Sequence, residues 1–107
     1  MSKKNKFTHY PHRILFIKRG CAFCKMYMGI VQEINFYLKP SKRIKIIDVT
    51  DQWENGIITD PIAEHINLKG TPTLYLGGHH PIIVEGMTSR SYVQKFLEGY
   101  LKTLGEL

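Results

Sequence analysis

"RILFIKRGCAFCKMYMGIVQEINFYL", residues 13–38, passes from a compact apolar run through two cysteines into a helical pattern. "RILFI" (13–17) is branched and aromatic almost throughout and reads as a buried strand. Beyond it, Phe23, Met26, Tyr27, Ile30, Val31, Ile34 and Leu38 recur at three-and-four spacing. That spacing predicts a helix with one apolar side, stopping before Pro40. Gly29 costs this helix about 1 kcal/mol relative to alanine and is read as admitting a close neighbour. Cys21 and Cys24, the only cysteines, therefore fall where a strand gives way to a helix.

The pattern continues in alternation. "RIKIIDV" (43–49) reads as a second strand, and "DQWENGIIT" (51–59) as a loop or a short helical turn. Asp60 before Pro61 is an N-cap signal with proline at the first helical position, opening the short helix "PIAEHINL". "TPTLYLGG" (71–78) and "PIIVEG" (81–86) predict a hairpin closed by a glycine turn. Ser89 or Ser91 caps a final helix whose stripe is Val93, Phe96, Leu97, Tyr100, Leu101 and Leu104. Strands joined through a helix run parallel, and hairpin strands run antiparallel. The expected class is α/β: a small mixed four-stranded sheet with helices on both faces.

Composition sets bounds on the rest. With 107 residues, 43% hydrophobic and 22% charged, the chain suits one folded domain at residues 13–107 behind a flexible basic tail at 1–12. No apolar run reaches the roughly 20 residues a bilayer-spanning helix needs, so no membrane partner is expected. The opening "MSKKNKFTHYPHR" lacks the apolar core of a secretory signal, which makes a cytoplasmic, reducing location the expectation. In such a compartment a close cysteine pair points to redox chemistry or metal binding rather than to a structural staple.

The net charge is +6, and the first 32 residues hold seven Lys and Arg with no acidic residue. The positive excess thus lies in the part that carries the cysteines. Nucleic acid is not an expected partner, because no binding motif accompanies the charge.

A thiol at a strand-to-helix junction meets unpaired backbone N–H groups and the positive end of the helix dipole. Both favour the thiolate, the nucleophilic form, and Lys18, Arg19 and Lys25 act in the same direction. Cys21 then attacks a disulfide, and Cys24, further into the helix and less exposed, resolves the mixed disulfide. The competing reading is zinc, with His9 and His12 before the cysteines and His79 and His80 after them. The histidine spacing does not match a finger, and the segment between His12 and Cys21 reads as core strand. No metal is expected. Phe23 either packs in the first helical turn or offers aromatic surface for docking. Trp53 is read as an anchor, and His65 as a surface or half-buried helix residue.

"CAFC" at this junction, with "GTPTLYL" ahead of a hairpin and a last helix, resembles the thioredoxin superfamily from Arg13 to Leu104. The stretch "LKGTPTLYLGG…VEGMTSRSYVQKFL" is similar to thioredoxin, and the short front is similar to glutaredoxin. The resemblance implies the thioredoxin fold, with a cis Thr71–Pro72 bond beside the cysteines and a Thr71 backbone open to an incoming peptide or glutathione. It implies that Gly86 follows the last strand where backbone passes near the site, and that Lys18 matches a glutathione-contacting lysine. The sequence departs from the family at several points. Ala22-Phe23 replaces the usual residues between the cysteines, Gly20 stands where a tryptophan is common, and Leu15 occupies the place of a buried aspartate. "MTSR" replaces a glutaredoxin Cys-Asp, so Thr88 and Ser89 substitute only in part.

These readings converge on a dithiol–disulfide oxidoreductase acting on protein disulfides. Cys21 and Cys24 carry the chemistry, and Lys18, Arg19, Phe23, Thr71, Pro72 and Gly86 form the substrate surface. No prosthetic group is expected, since electrons arrive by thiol exchange from a thioredoxin-reductase-like donor or glutathione. The alternative is a non-catalytic module of the same fold that binds an acidic partner through its basic face.

Overall fold

The computed structural model describes residues 13–78 and 80–107. The tail at 1–12, with His9 and His12, and also His79 lie outside the described residues. Four strands form the sheet: β1 (Arg13–Ile17), β2 (Lys45–Asp48), β3 (Thr73–Leu76) and β4 (Ile82–Glu85). Four α-helices accompany them: α1 (Cys24–Asn35), α2 (Thr50–Glu54), α3 (Pro61–His65) and α4 (Arg90–Thr103). The spatial order is β2-β1-β3-β4. β1 runs parallel to β2 and antiparallel to β3, and β3 runs antiparallel to β4.

The central strands are buried on both faces, which is why "ILFI" (14–17) and "LYL" (74–76) continue without polar alternation after Arg13 and Thr73. Leu15, Leu74, Leu76 and Val84 face a core shared with Tyr27, Ile30 and Val31 of α1 and with Val93, Leu97 and Leu101 of α4. Ile14, Phe16 and Tyr75 face the opposite core, with Val49, Ile62, Ala63 and Leu68. Fully burying an aliphatic or aromatic side chain contributes about 1.5–3 kcal/mol, so this period-two division fixes the register of β1 against both neighbours. The expected α/β architecture is present.

Several boundaries and one contact differ from the sequence expectations; among them, α3 ends at His65 rather than running through Leu68, and β2 ends at Asp48 rather than at residue 49. α1 begins at Cys24, so Cys24 is its first residue and not one turn inside it. Phe23 lies outside the apolar stripe and is 42% exposed. α1 also ends earlier, at Asn35. Its side chain donates to the Ile44 carbonyl and accepts from the Ile44 N–H, both below 3 Å. The Arg43 Nε–H donates to the Asn35 and Leu38 carbonyls. These bonds occupy residues 43 and 44 ahead of the sheet, and β2 starts only at Lys45. At the far end of α4, Leu104 is the C-cap and is half exposed, outside the buried stripe. A Cβ at Gly29 would meet only the Arg90 side chain at 3.7 Å, an ordinary contact, so no close neighbour requires this glycine.

The capping signals hold. The Asp60 side chain accepts from the Ile62 and Ala63 N–H groups, both at 2.9 Å, with Pro61 in the first turn. Ser89, rather than Ser91, caps α4 by accepting from the Tyr92 N–H. Among the described residues, no helix is long and apolar enough to cross a membrane.

Candidate functional site

The carboxyl end of β1, the carboxyl end of β2, the amino end of β3 and the carboxyl end of β4 share one edge of the sheet, as the register requires. Topology therefore gathers the segments after Ile17, after Asp48, before Thr73 and after Glu85. They hold Lys18 to Cys24, α2, Thr71-Pro72 and Gly86-Met87.

Cys21 and Cys24 are joined in a disulfide, with Cα atoms 5.3 Å apart, a span such a bond accepts. Cys21 is partly exposed, whereas Cys24 is only 3% exposed. The Cys24 N–H donates to the Cys21 carbonyl at 3.3 Å, closing a turn that leads into α1. No side chain caps this helix, and its first turn contains no acidic residue. Among the described residues, the Lys25 and Met26 N–H groups have no acceptor, and they point from the same turn that carries the cysteines. An uncapped helix start of this kind favours a nearby thiolate.

Around the pair, the approach segment is tied to α2. The Arg19 main-chain N–H donates to the Thr50 hydroxyl at 2.8 Å. Its guanidinium reaches Asp51 at 3.3 Å, and the Lys18 ammonium lies 5.8 Å from the centre of the Trp53 ring. Asp48, at the end of β2, accepts from both the N–H and the hydroxyl of Thr50. Those bonds hold its carboxyl below the usual range. On the other side of the pair, the buried Tyr27 hydroxyl donates to the Met87 carbonyl at 3.0 Å, joining α1 to the segment after β4. Burial raises the Tyr27 pKa.

Thr71–Pro72 is cis, as the resemblance implies. The Thr71 main-chain N–H and carbonyl have no partner among the described residues. Gly86 has φ +75°, a left-handed conformation that suits glycine. A Cβ there would meet nothing within 4 Å, so conformation and not close approach explains the residue. Leu15 is fully buried. The buried polar side chains among the described residues are Arg13, Thr50 and Thr73, and no buried carboxylate accompanies Cys24. Phe23 and Met87 supply exposed apolar surface.

Among the described residues, no group of three or more His, Cys, Asp or Glu could hold a metal ion. His65 is exposed on α3, and Trp53 lies within α2, partly buried against the core that holds Phe16. Sequence reasoning missed Thr50, Tyr27 as a polar link, and Met87. The Asp48-Val49-Thr50 spacing at the end of a strand was the one local signal for Thr50, since an Asp carboxylate commonly binds the N–H two residues on.

No protein-family model and no curated protein matches the sequence. Solved structures do match. The J-Trx1 fragment of ERdj5 aligns over 84% of this chain at 16% identity, with a TM-score of 0.55. This chain has a thioredoxin-like fold. It spans 42% of that ERdj5 fragment. A malarial protein aligns over 83% of this chain and 94% of its own length, at 18% identity and a TM-score of 0.53. The thioredoxin-like fold and the Cys21–Cys24 pair together fit a redox role.

Proposed function

We propose that the protein is a dithiol–disulfide oxidoreductase of protein disulfides, working in the cytoplasm. The observation that carries this reading is the asymmetry of the pair: Cys21 is partly exposed and Cys24 is buried at the first residue of α1. The Cys21 thiolate attacks one sulfur of the substrate disulfide. A mixed disulfide forms and the first substrate thiolate leaves. The Cys24 sulfur then attacks Cys21, expelling the second substrate thiolate and closing the Cys21–Cys24 bond. Two electrons pass from the pair to the substrate, and the Cys24 proton goes to a departing thiolate or to water. Leu15 offers no carboxylate to take that proton.

Thr71 and Pro72 shape the groove, with the Thr71 main chain free to pair with an extended substrate backbone. Phe23 adds aromatic surface, Gly86 lets the chain turn beside the groove, and Lys18 and Arg19 contribute positive potential. The protein uses no prosthetic group. A thioredoxin-reductase-like enzyme or glutathione returns it to the dithiol.

The test is a pair of single substitutions. Cys24→Ser accumulates a mixed disulfide on Cys21, visible by mass spectrometry and released by reductant, and Cys21→Ser abolishes disulfide reduction. Wild-type turnover in both variants would end the enzyme reading and leave a binding module.

A further inference from the structure

We propose that Thr50 is a positioning residue for Cys21, acting through the Arg19 main-chain N–H; this rests on the oxidoreductase reading above. Only Lys18, Arg19 and Gly20 lie between β1 and Cys21. Gly20 has φ +74°, so the last link before the cysteine is conformationally the loosest residue type. A fixed point just ahead of it is needed if Cys21 is to stay over the open start of α1.

Thr50 provides that point. It is 2% exposed, in the first turn of α2, and its hydroxyl accepts from the Arg19 N–H at 2.8 Å. A hydroxyl has one hydrogen and two lone pairs. Here the hydrogen goes to Asp48 Oδ1, the atom that also takes the Thr50 N–H at 2.8 Å. The hydroxyl is therefore held in one orientation, with its acceptor side toward Arg19. The other two buried polar side chains among the described residues are engaged elsewhere: Arg13 with Glu106, and Thr73 with the Gly70 carbonyl.

The Arg19–Asp51 and Lys18–Trp53 contacts reinforce the same attachment from two further positions of α2. They are exposed or half exposed and each contributes little, whereas the Arg19–Thr50 bond is part-buried and ends on the hydroxyl of a residue only 2% exposed. Without the Thr50 hydroxyl, the segment is released and Cys21 leaves the free N–H groups of Lys25 and Met26. The charged groups on the segment, bonded to it or to Thr50, or adjoining the cysteines in sequence are Lys18, Arg19, Lys25, Asp48 and Asp51. Thr50→Val leaves every one of them in place, so a changed Cys21 titration in that variant reports position and not charge.

The experiment uses the full chain in wild-type, Thr50→Val, Thr50→Ser and Asp48→Ala forms. Alkylation of reduced Cys21 by iodoacetamide is followed against pH by peptide mass spectrometry. Thr50→Val is expected to slow alkylation at pH 7 by threefold to tenfold and move the curve to higher pH. Thr50→Ser, which keeps the hydroxyl, returns to within twofold of wild type. Asp48→Ala discriminates by sign and covers a Thr50→Val protein that does not fold. Removing a nearby negative charge speeds alkylation if charge alone governs, whereas freeing the Thr50 hydroxyl slows it by twofold or more. A wild-type curve in folded Thr50→Val, or faster alkylation in Asp48→Ala, would overturn the proposal. A wild-type protein that titrates like a free thiol would instead overturn the oxidoreductase reading beneath it.

Discussion

The two ends of the sheet treat polar groups in opposite ways. At the amino end of β1, Arg13 is 8% exposed and makes two bonds to Glu106, at 2.6 and 2.8 Å. It also donates to the Lys42 carbonyl and lies 5.7 Å from the centre of the Tyr100 ring. At the carboxyl end of β1, α1 starts without a side-chain cap, the Thr71 main chain is unpaired, and an aromatic ring between the cysteines faces water. One end closes its hydrogen bonds to fasten the chain; the other ties its approach segment through Arg19, Thr50 and Asp48 yet leaves donors and acceptors available around the cysteines. Stability and reactivity are thus assigned to opposite edges of four short strands.

The largest effect should come from breaking the closed end. Glu106→Ala leaves a buried guanidinium without its carboxylate, and is expected to cost about 3 kcal/mol in urea unfolding with Cys21 alkylation unchanged. The same pair predicts a pH dependence. Arg13 lowers the Glu106 pKa in the folded protein, so the stabilisation is present above the unfolded value, near 4.3. It is lost as pH falls from there through the folded value. Unfolding free energy measured from pH 6 downward should show this loss in wild type and lack that component in Glu106→Ala. Equal pH slopes would remove Glu106 as its source.

A smaller effect is expected at a capped helix. Asp60→Ala removes an acceptor from two N–H groups of α3 and should cost about 1–2 kcal/mol, again with no change at Cys21. That contrast sharpens the comparison, because α1 reaches the same stage with no side-chain cap at all. Smallest is the exposed pair: Arg19→Ala should change stability by about 0.5 kcal/mol or less. It should still slow alkylation of Cys21 measurably at low ionic strength, where a nearby cation matters most. A loss of more than 1 kcal/mol would show that this end is fastened as firmly as the other.

Much of this arrangement was legible in the sequence where local chemistry decides structure. "RILFI" forms β1 over the expected residues, Asp60-Pro61 and Ser89 start helices, and "TPTLYLGG" with "PIIVEG" forms the hairpin. The placement of both cysteines at a strand-to-helix junction was also readable. The limits of α1 were not, because apolar spacing continues through Phe23 and on to Leu38, into turns flanking the helix. What ends the helix is Asn35 binding residue 44, a contact nine residues away that periodicity does not encode. The tie from Arg19 to Thr50 spans 31 residues and depends on β1 lying beside β2, so it became visible only with the sheet assembled.

The most direct test of the central claim is the rate of Cys21 alkylation against pH in the reduced wild-type protein, with Cys24 followed in the same digest. The expected result is a Cys21 curve with its midpoint well below that of a free cysteine, about 8.5, and a Cys24 that reacts far more slowly throughout. Two cysteines reacting alike, with midpoints near 8.5, would contradict it.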